Sequence, residues 1–149
     1  MSPSSSGFTL IELMIVAAIL GALAALAIPN LQRAVERARI TAAIGDISAI
    51  QQAAQEYALE NNEYPASLAD IGYGGMTDPW GRGYVYLRVA GATTGQLRKD
   101  RFLVPVNSDF DLYSLGPDGA TAPAFTAAPA RDDIVRANDG GFVGVAEDY

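Results

Sequence analysis

The chain is 149 residues long, contains no cysteine and no histidine, and carries a formal net charge of −7 at pH 7. Those absences exclude disulfides, thiolate metal sites, thiol nucleophiles and every imidazole-dependent triad or metal site. Half the residues are hydrophobic and 18% are charged, which is too apolar for a disordered acidic chain, and the acidic balance argues against a nucleic-acid partner.

Hydropathy is concentrated at the N-terminus. Leu13 to Ile28 is a run of 16 apolar or glycine residues, and counting from Phe8 the stretch reaches 21. About 20 residues of helix cross a bilayer. Glu12 is the one charge inside it, and a carboxylate there costs about 2.5–3.5 kcal/mol on insertion scales, so its default reading is functional. Two ordinary readings compete. A secretory signal peptide fits the small residues Ala25-Leu26-Ala27, but no Lys or Arg occurs before Arg33. A plain anchor fits the length. Because Arg33, Arg37 and Arg39 follow the span, the charge rule taken alone would leave the C-terminal part in the cytoplasm.

The string Gly7-Phe8-Thr9-Leu10-Ile11-Glu12, joined to this apolar run, resembles the processing site of type IV pilin-like proteins. The resemblance implies a leader over residues 1–7, cleavage after Gly7 by a prepilin peptidase, and methylation of Phe8. It assigns Glu12 to subunit assembly and matches Pro29 to the family's helix proline. The leader differs from the usual pattern in lacking a basic residue. Elementary electrostatics agrees with the role of Glu12: a buried carboxylate is tolerated when paired, and the new amine on Phe8 of a neighbouring subunit is a suitable partner. Ala17, Ala18, Gly21, Ala22, Ala24 and Ala25 allow close helix approach, as in membrane helix pairs.

Beyond Pro29, where a kink or local melting is expected and Asn30 can reseat freed backbone groups, the helical signal becomes amphipathic. Ile40, Ile44, Ile47, Ile50, Ala54 and Tyr57 recur every three or four residues and mark one face. Tyr64-Pro65 ends the helix, and Ser67 to Ile71 reads as a capped helical turn. Asp78-Pro79-Trp80-Gly81 reads as a turn. Strands are predicted at Tyr84–Val89, Arg101–Val104 and Asp111–Ser114. The fold class is therefore α+β: a long N-terminal helix with a transmembrane segment at 8–28 and an amphipathic half at 29–64. It packs on a small antiparallel sheet in a head at 65–149.

The head carries a second resemblance. Asp78-Pro79-Trp80-Gly81, then Asp111 to Gly119 with its Gly-Pro-Asp-Gly turn, then Asp132-Asp133-Ile134, is similar to the major pseudopilins of type II secretion systems. That family's loop binds calcium. Carried over by position, the resemblance implies side-chain ligands at Asp118, Asp132 and Asp133, with carbonyls from Leu115 and Ala120. Calcium takes six to eight oxygens, and nine acids against three arginines from Asp100 onward attract cations. The bland alternative is a simple Gly-Pro-Asp-Gly turn.

Three function classes follow. The first is a structural subunit that polymerises into a type II secretion pseudopilus. The second is a subunit of a type IV pilus or related surface fibre. Such pilins usually carry a C-terminal disulfide, which this chain cannot form, although the tail Asp139-Gly140-Gly141-Phe142-Val143-Gly144-Val145 is unusual for a pseudopilin. The third is a membrane-anchored enzyme using Asp109 and Asp111 as a carboxylate pair. The first is preferred, with no catalysis. The family resemblance implies a helical homopolymer in contact with minor pseudopilins, an inner-membrane assembly platform and its ATPase. It also implies an inner-membrane subunit with a periplasmic head before assembly.

Overall fold

The structure, a computed structural model, describes residues 7–149; the rest of the expected leader lies outside the described residues. One helix, α1 (Leu10–Asn61), is followed by β1 (Val85–Arg88), β2 (Phe110–Ser114), β3 (Ile134–Ala137) and β4 (Phe142–Val145), with short 3-10 turns between. The chain divides into two compact units, one ending at Arg37 and the other Ala38–Tyr149.

In the first unit α1 carries the apolar run with its large side chains uncovered: Leu10, Ile11, Leu20 and Leu26 are each more than half exposed. A helix that is apolar on all sides is at home in lipid or among other apolar helices, not in water. Pro29 lies inside α1, which continues through it instead of melting. Proline offers no N–H to the carbonyl four residues back. At the next position the Asn30 Nδ2 donates to the Leu26 carbonyl at 3.0 Å, supplying a side-chain donor beside the gap.

In the second unit the predicted helical stripe is the core. Ala43, Ile47, Ile50 and Ala54 are fully buried, and Ile40 and Ile44 pack beside them. The helix stops at Asn61, where Nδ2 bonds the Tyr57 carbonyl (2.9 Å), and Asn62 follows at φ 58°. Asparagine tolerates that left-handed helix-ending geometry better than most side chains. The predicted turn at Ser67 forms as a 3-10 helix, Leu68–Ile71, with the Asp70 carboxylate accepting the Ser67 N–H (2.8 Å) and hydroxyl (3.1 Å).

The four strands form an antiparallel meander in the order β1-β2-β3-β4. Val85 pairs with Tyr113, Tyr113 with Val135, and Ile134 with Val145. Side chains alternate between faces. Phe110, Leu112 and Ile134 join the cluster built on Ile47 and Ile50. Val135 and Ala137 join a second cluster with Val106, Phe125 and Ala146. Both faces of the central strands are therefore covered, one by the helix and the other by loops.

Two expectations need correction. Arg101–Val104 is not a strand: Val106 N–H donates to the Arg98 carbonyl (2.9 Å) and Asp100 N–H to the Leu103 carbonyl (3.1 Å). Those bonds close a loop whose tip, Phe102, is 92% exposed. Its apolar letters gave a strand signal, but Pro105 and the reversal leave the segment no partner strand. Conversely, β3 and β4 were not anticipated. They are joined by Asn138-Asp139-Gly140, all three at positive φ, the backbone twist that suits a tight hairpin.

Candidate functional sites: the helix entrance and the aspartate loop

The first site is the entrance to α1. Gly7 and Phe8 precede the helix without regular structure, and Phe8 is 80% exposed. The Gly7–Phe8 peptide bond thus lies in open backbone, as proteolysis requires. Thr9 occupies the N-cap position. Its N–H and its Oγ1 each donate to the Glu12 Oε2 at 2.8 Å, and the Glu12 N–H donates back to the Thr9 Oγ1 at 3.3 Å. This is a reciprocal capping box, which satisfies two of the orphan N–H groups of a helix start. Thr-Leu-Ile-Glu spells that motif in the sequence. Besides the partner on another subunit that the resemblance implies, Glu12 thus has a local one in Thr9.

The second site is the aspartate loop. Gly116 sits at φ 62°, where a Cβ would overlap the Asp132 carbonyl, so only glycine lets this turn lie against Asp132. Asp118 N–H then donates to Asp132 Oδ2 (3.1 Å), Ala120 N–H to Asp118 Oδ1 (2.7 Å), and Gly119 N–H to the Leu115 carbonyl (3.2 Å). Leu115, Asp118 and Ala120 therefore share one turn, with the Asp132 carboxylate against it.

Asp133 faces the other way. It is fully buried, and its Oδ2 accepts from Arg98 Nη2 and from Thr121 Oγ1, each at 2.5 Å. Burial pushes the Asp133 carboxyl above the usual range, against the opposing pull of the Thr121 and Arg98 bonds. Among the described residues, no three His, Cys, Asp or Glu side chains gather closely enough to hold a metal ion. As arranged, the residues expected for calcium do not form one donor set.

Arg98 was not singled out in the sequence. Its backbone N–H donates to Asp111 Oδ2 (2.7 Å), and Nη1 bonds Thr121 Oγ1 (2.6 Å) and the Ala122 carbonyl (2.8 Å). Its guanidinium stands 4.2 Å from the centre of the Tyr113 ring and 5.1 Å from that of Phe125. A second buried arginine, Arg136, grips Asp109 through two bonds of 2.7 and 2.6 Å. Asp109 and Asp111 do not act as a carboxylate pair: the first belongs to Arg136, the second to Arg98 and Asn107. Turned inward onto these partners, both acids are structural.

The Asp78 turn forms as predicted. Asp78 Oδ1 accepts from Trp80 N–H (3.0 Å) and Arg82 N–H (2.8 Å), and Oδ2 from the Ser114 hydroxyl (2.6 Å). Arg82 Nη2 reaches the Gly116 carbonyl. Through Arg82 this turn therefore braces the aspartate loop at Gly116.

Comparison with known proteins bears on the helix entrance and on the family of the chain. The family described as the prokaryotic N-terminal methylation motif matches residues 2–28. Type II secretion system core protein G of Pseudomonas aeruginosa is 38% identical over 135 residues, covering 76% of this chain and 84% of that protein. The proteins of the same name from Aeromonas hydrophila and Escherichia coli K12 are 36% and 32% identical over 76% of this chain. A fimbrial protein of Pseudomonas aeruginosa is 45% identical, but over only 47% of this chain and 49% of its own length. No solved structure matches significantly.

Proposed function

The chain belongs to the type II secretion core protein G family, the major pseudopilins, and from that membership we propose how its two sites are used. It is a structural subunit of a secretion pseudopilus, not an enzyme, and its work is self-assembly. The observation that carries the reading is the Gly7–Glu12 string at the mouth of α1, in a chain that aligns with core protein G over most of its length.

In this reading a prepilin peptidase cuts after Gly7 and methylates Phe8. Residues 8–28 hold the subunit in the inner membrane, with the head at 65–149 on the periplasmic side despite the arginines that follow the span. Glu12 then exchanges its bonds to Thr9 for the Phe8 amine of a neighbouring subunit. The exposed side chains of the apolar run support this, because lipid and then neighbouring helices are the surroundings that can cover them. Minor pseudopilins, an inner-membrane platform and an ATPase are the partners such a helical homopolymer implies.

The test is intact mass and N-terminal sequencing of the protein recovered from its native membrane. A chain beginning at N-methylated Phe8 is expected. A chain beginning just beyond Ala27 would instead mark a cleaved signal peptide, and an intact Met1 a plain anchor; either refutes the fibre reading. Glu12→Gln is expected to leave membrane insertion intact while abolishing fibres in a shearing assay. Normal fibre yield from that variant refutes the pairing.

A further inference from the structure

We propose that the Arg98 guanidinium is the resident counter-charge of Asp133, one of the three carboxylates that the family resemblance gives to calcium. It holds that carboxylate away from the turn on which Asp118 meets Asp132, so that the head folds and keeps this loop without a metal ion.

The arrangement around Arg98 has the features of a cation site. Its side chain is 3% exposed and that of Asp133 is 0% exposed, so the pair sits out of reach of solvent. A buried charge persists only when paired and hydrogen-bonded. Here the guanidinium is bound by a carboxylate, a hydroxyl and a carbonyl: Asp133, Thr121 and Ala122. These are the oxygen types that would otherwise coordinate a hard cation. The Tyr113 and Phe125 rings add faces to which a cation is attracted.

The long Ala- and Pro-rich segment after Gly119 is built around this side chain. Lys99 N–H donates to the Pro123 carbonyl (2.9 Å) and Phe125 N–H to the Lys99 carbonyl (3.0 Å). These two bonds clasp the segment onto the strand-like stretch that carries Arg98. The clasp places Thr121 and Ala122 against the guanidinium and Phe125 beneath it.

Two polar atoms left without partners point the same way. Arg98 Nε and Asp133 Oδ1 are both buried and unbonded. They are the unused donor and the unused acceptor of one pair, and Nε lies beside the Nη2 that already bonds Asp133. A small rotation into the side-on, two-bond arrangement typical of arginine and carboxylate satisfies both. Asp133 is thus matched to a planar fork, and its Oδ2 already accepts two donors. A divalent ion at the same place would have to displace the guanidinium or sit beside it against like-charge repulsion.

The experiment uses the full chain in detergent, with thermal unfolding of the head followed by the fluorescence of Trp80, which packs against the core. An ion bound at about 100-fold above its Kd would raise the midpoint on the order of 10 °C. The expected result is the same midpoint in excess calcium and in chelator. Arg98→Gln is expected to lower the midpoint on the order of 10 °C, because it leaves Asp133 buried and uncompensated. Adding Asp133→Asn to that variant is expected to recover part of the loss. Calcium is expected to stabilise Arg98→Gln, in which the Asp133 carboxylate is released from its counter-charge. A calcium-dependent rise in the unsubstituted protein overturns the proposal, and so does an equal response in both proteins. Should Arg98→Gln fail to fold, the comparison on the unsubstituted chain decides alone.

Discussion

Replacing Arg136 tests whether the helix is held on the sheet by charge as well as by packing. Its side chain is 0% exposed, and it reaches Asp109 at 2.7 and 2.6 Å, the Phe110 carbonyl at 2.9 Å and the Gln51 Oε1 on α1 at 2.8 Å. The guanidinium also lies 4.0 Å from the centre of the Phe110 ring. Arg136→Met keeps much of the volume and removes every one of these bonds. Asp109, only 10% exposed, is then left buried without its cation. Breaking such a pair from one side costs about 3–5 kcal/mol, against a typical domain stability of about 5–15 kcal/mol. For a unit of 112 residues (38 through 149), about 4 °C is lost per kcal/mol, which gives a fall of about 12–20 °C. Thermal melts of the full chain in detergent read this directly. The double variant Arg136→Met/Asp109→Asn should melt higher than Arg136→Met alone, since the orphaned charge is gone. A fall below about 4 °C, or strictly additive losses, would refute the account.

Two glycines should respond to alanine in opposite directions. Gly116→Ala forces a side chain into φ 62° and onto the Asp132 carbonyl, so urea midpoints should drop by the equivalent of about 2 kcal/mol or more. Gly45→Ala, in mid-helix with open space at its Cβ, should gain about 0.5–1 kcal/mol. The Asp139 carboxyl yields an acid-range prediction. Burial alone would raise it, but the Ser108 N–H and hydroxyl and the Arg136 charge outweigh that and hold it below the ordinary range. Stability from Asp139 is therefore fully present above the unfolded carboxylate range and is lost as pH falls through the lower folded value. Asp139→Asn should flatten the acid limb of a stability–pH curve below about pH 4, and an unchanged limb would show the Ser108 bonds to be inconsequential.

The parts legible in the sequence were those written in short-range code. The Gly7–Glu12 string, the stripe from Ile40 to Ala54, the Ser67 cap and the Asp78 turn each depend on neighbours within a turn or two. Strand β2 was visible because Phe110 and Leu112 alternate with polar residues. Strand β3 hid because Ile134 to Ala137 is buried on both faces, so that Arg136 reads as a solvated residue where it is in fact a core one. The hairpin signal Asn138-Asp139-Gly140 lies between two short apolar runs, each of only four strand residues and so weak by itself. Arg98 was invisible for a different reason. Its partners Asp111, Thr121 and Asp133 lie 13 to 35 positions away, and only the loop clasp at Lys99 and Phe125 brings them together. Aspartates spaced like a metal loop look the same on paper whether an ion or an arginine answers them.

The bond from Arg136 to Gln51 joins positions 85 residues apart. Ile134 closes over the same helix face two residues earlier. A ribosome or export channel that has released α1, β1 and β2 has therefore delivered an apolar helix face only partly covered and an Asp109 without its cation. A prematurely ended chain would keep its membrane helix and processing signal while exposing a half-built head to proteases. Closure of the head thus waits on β3, because its side chains complete both the apolar cluster and the buried ion pair.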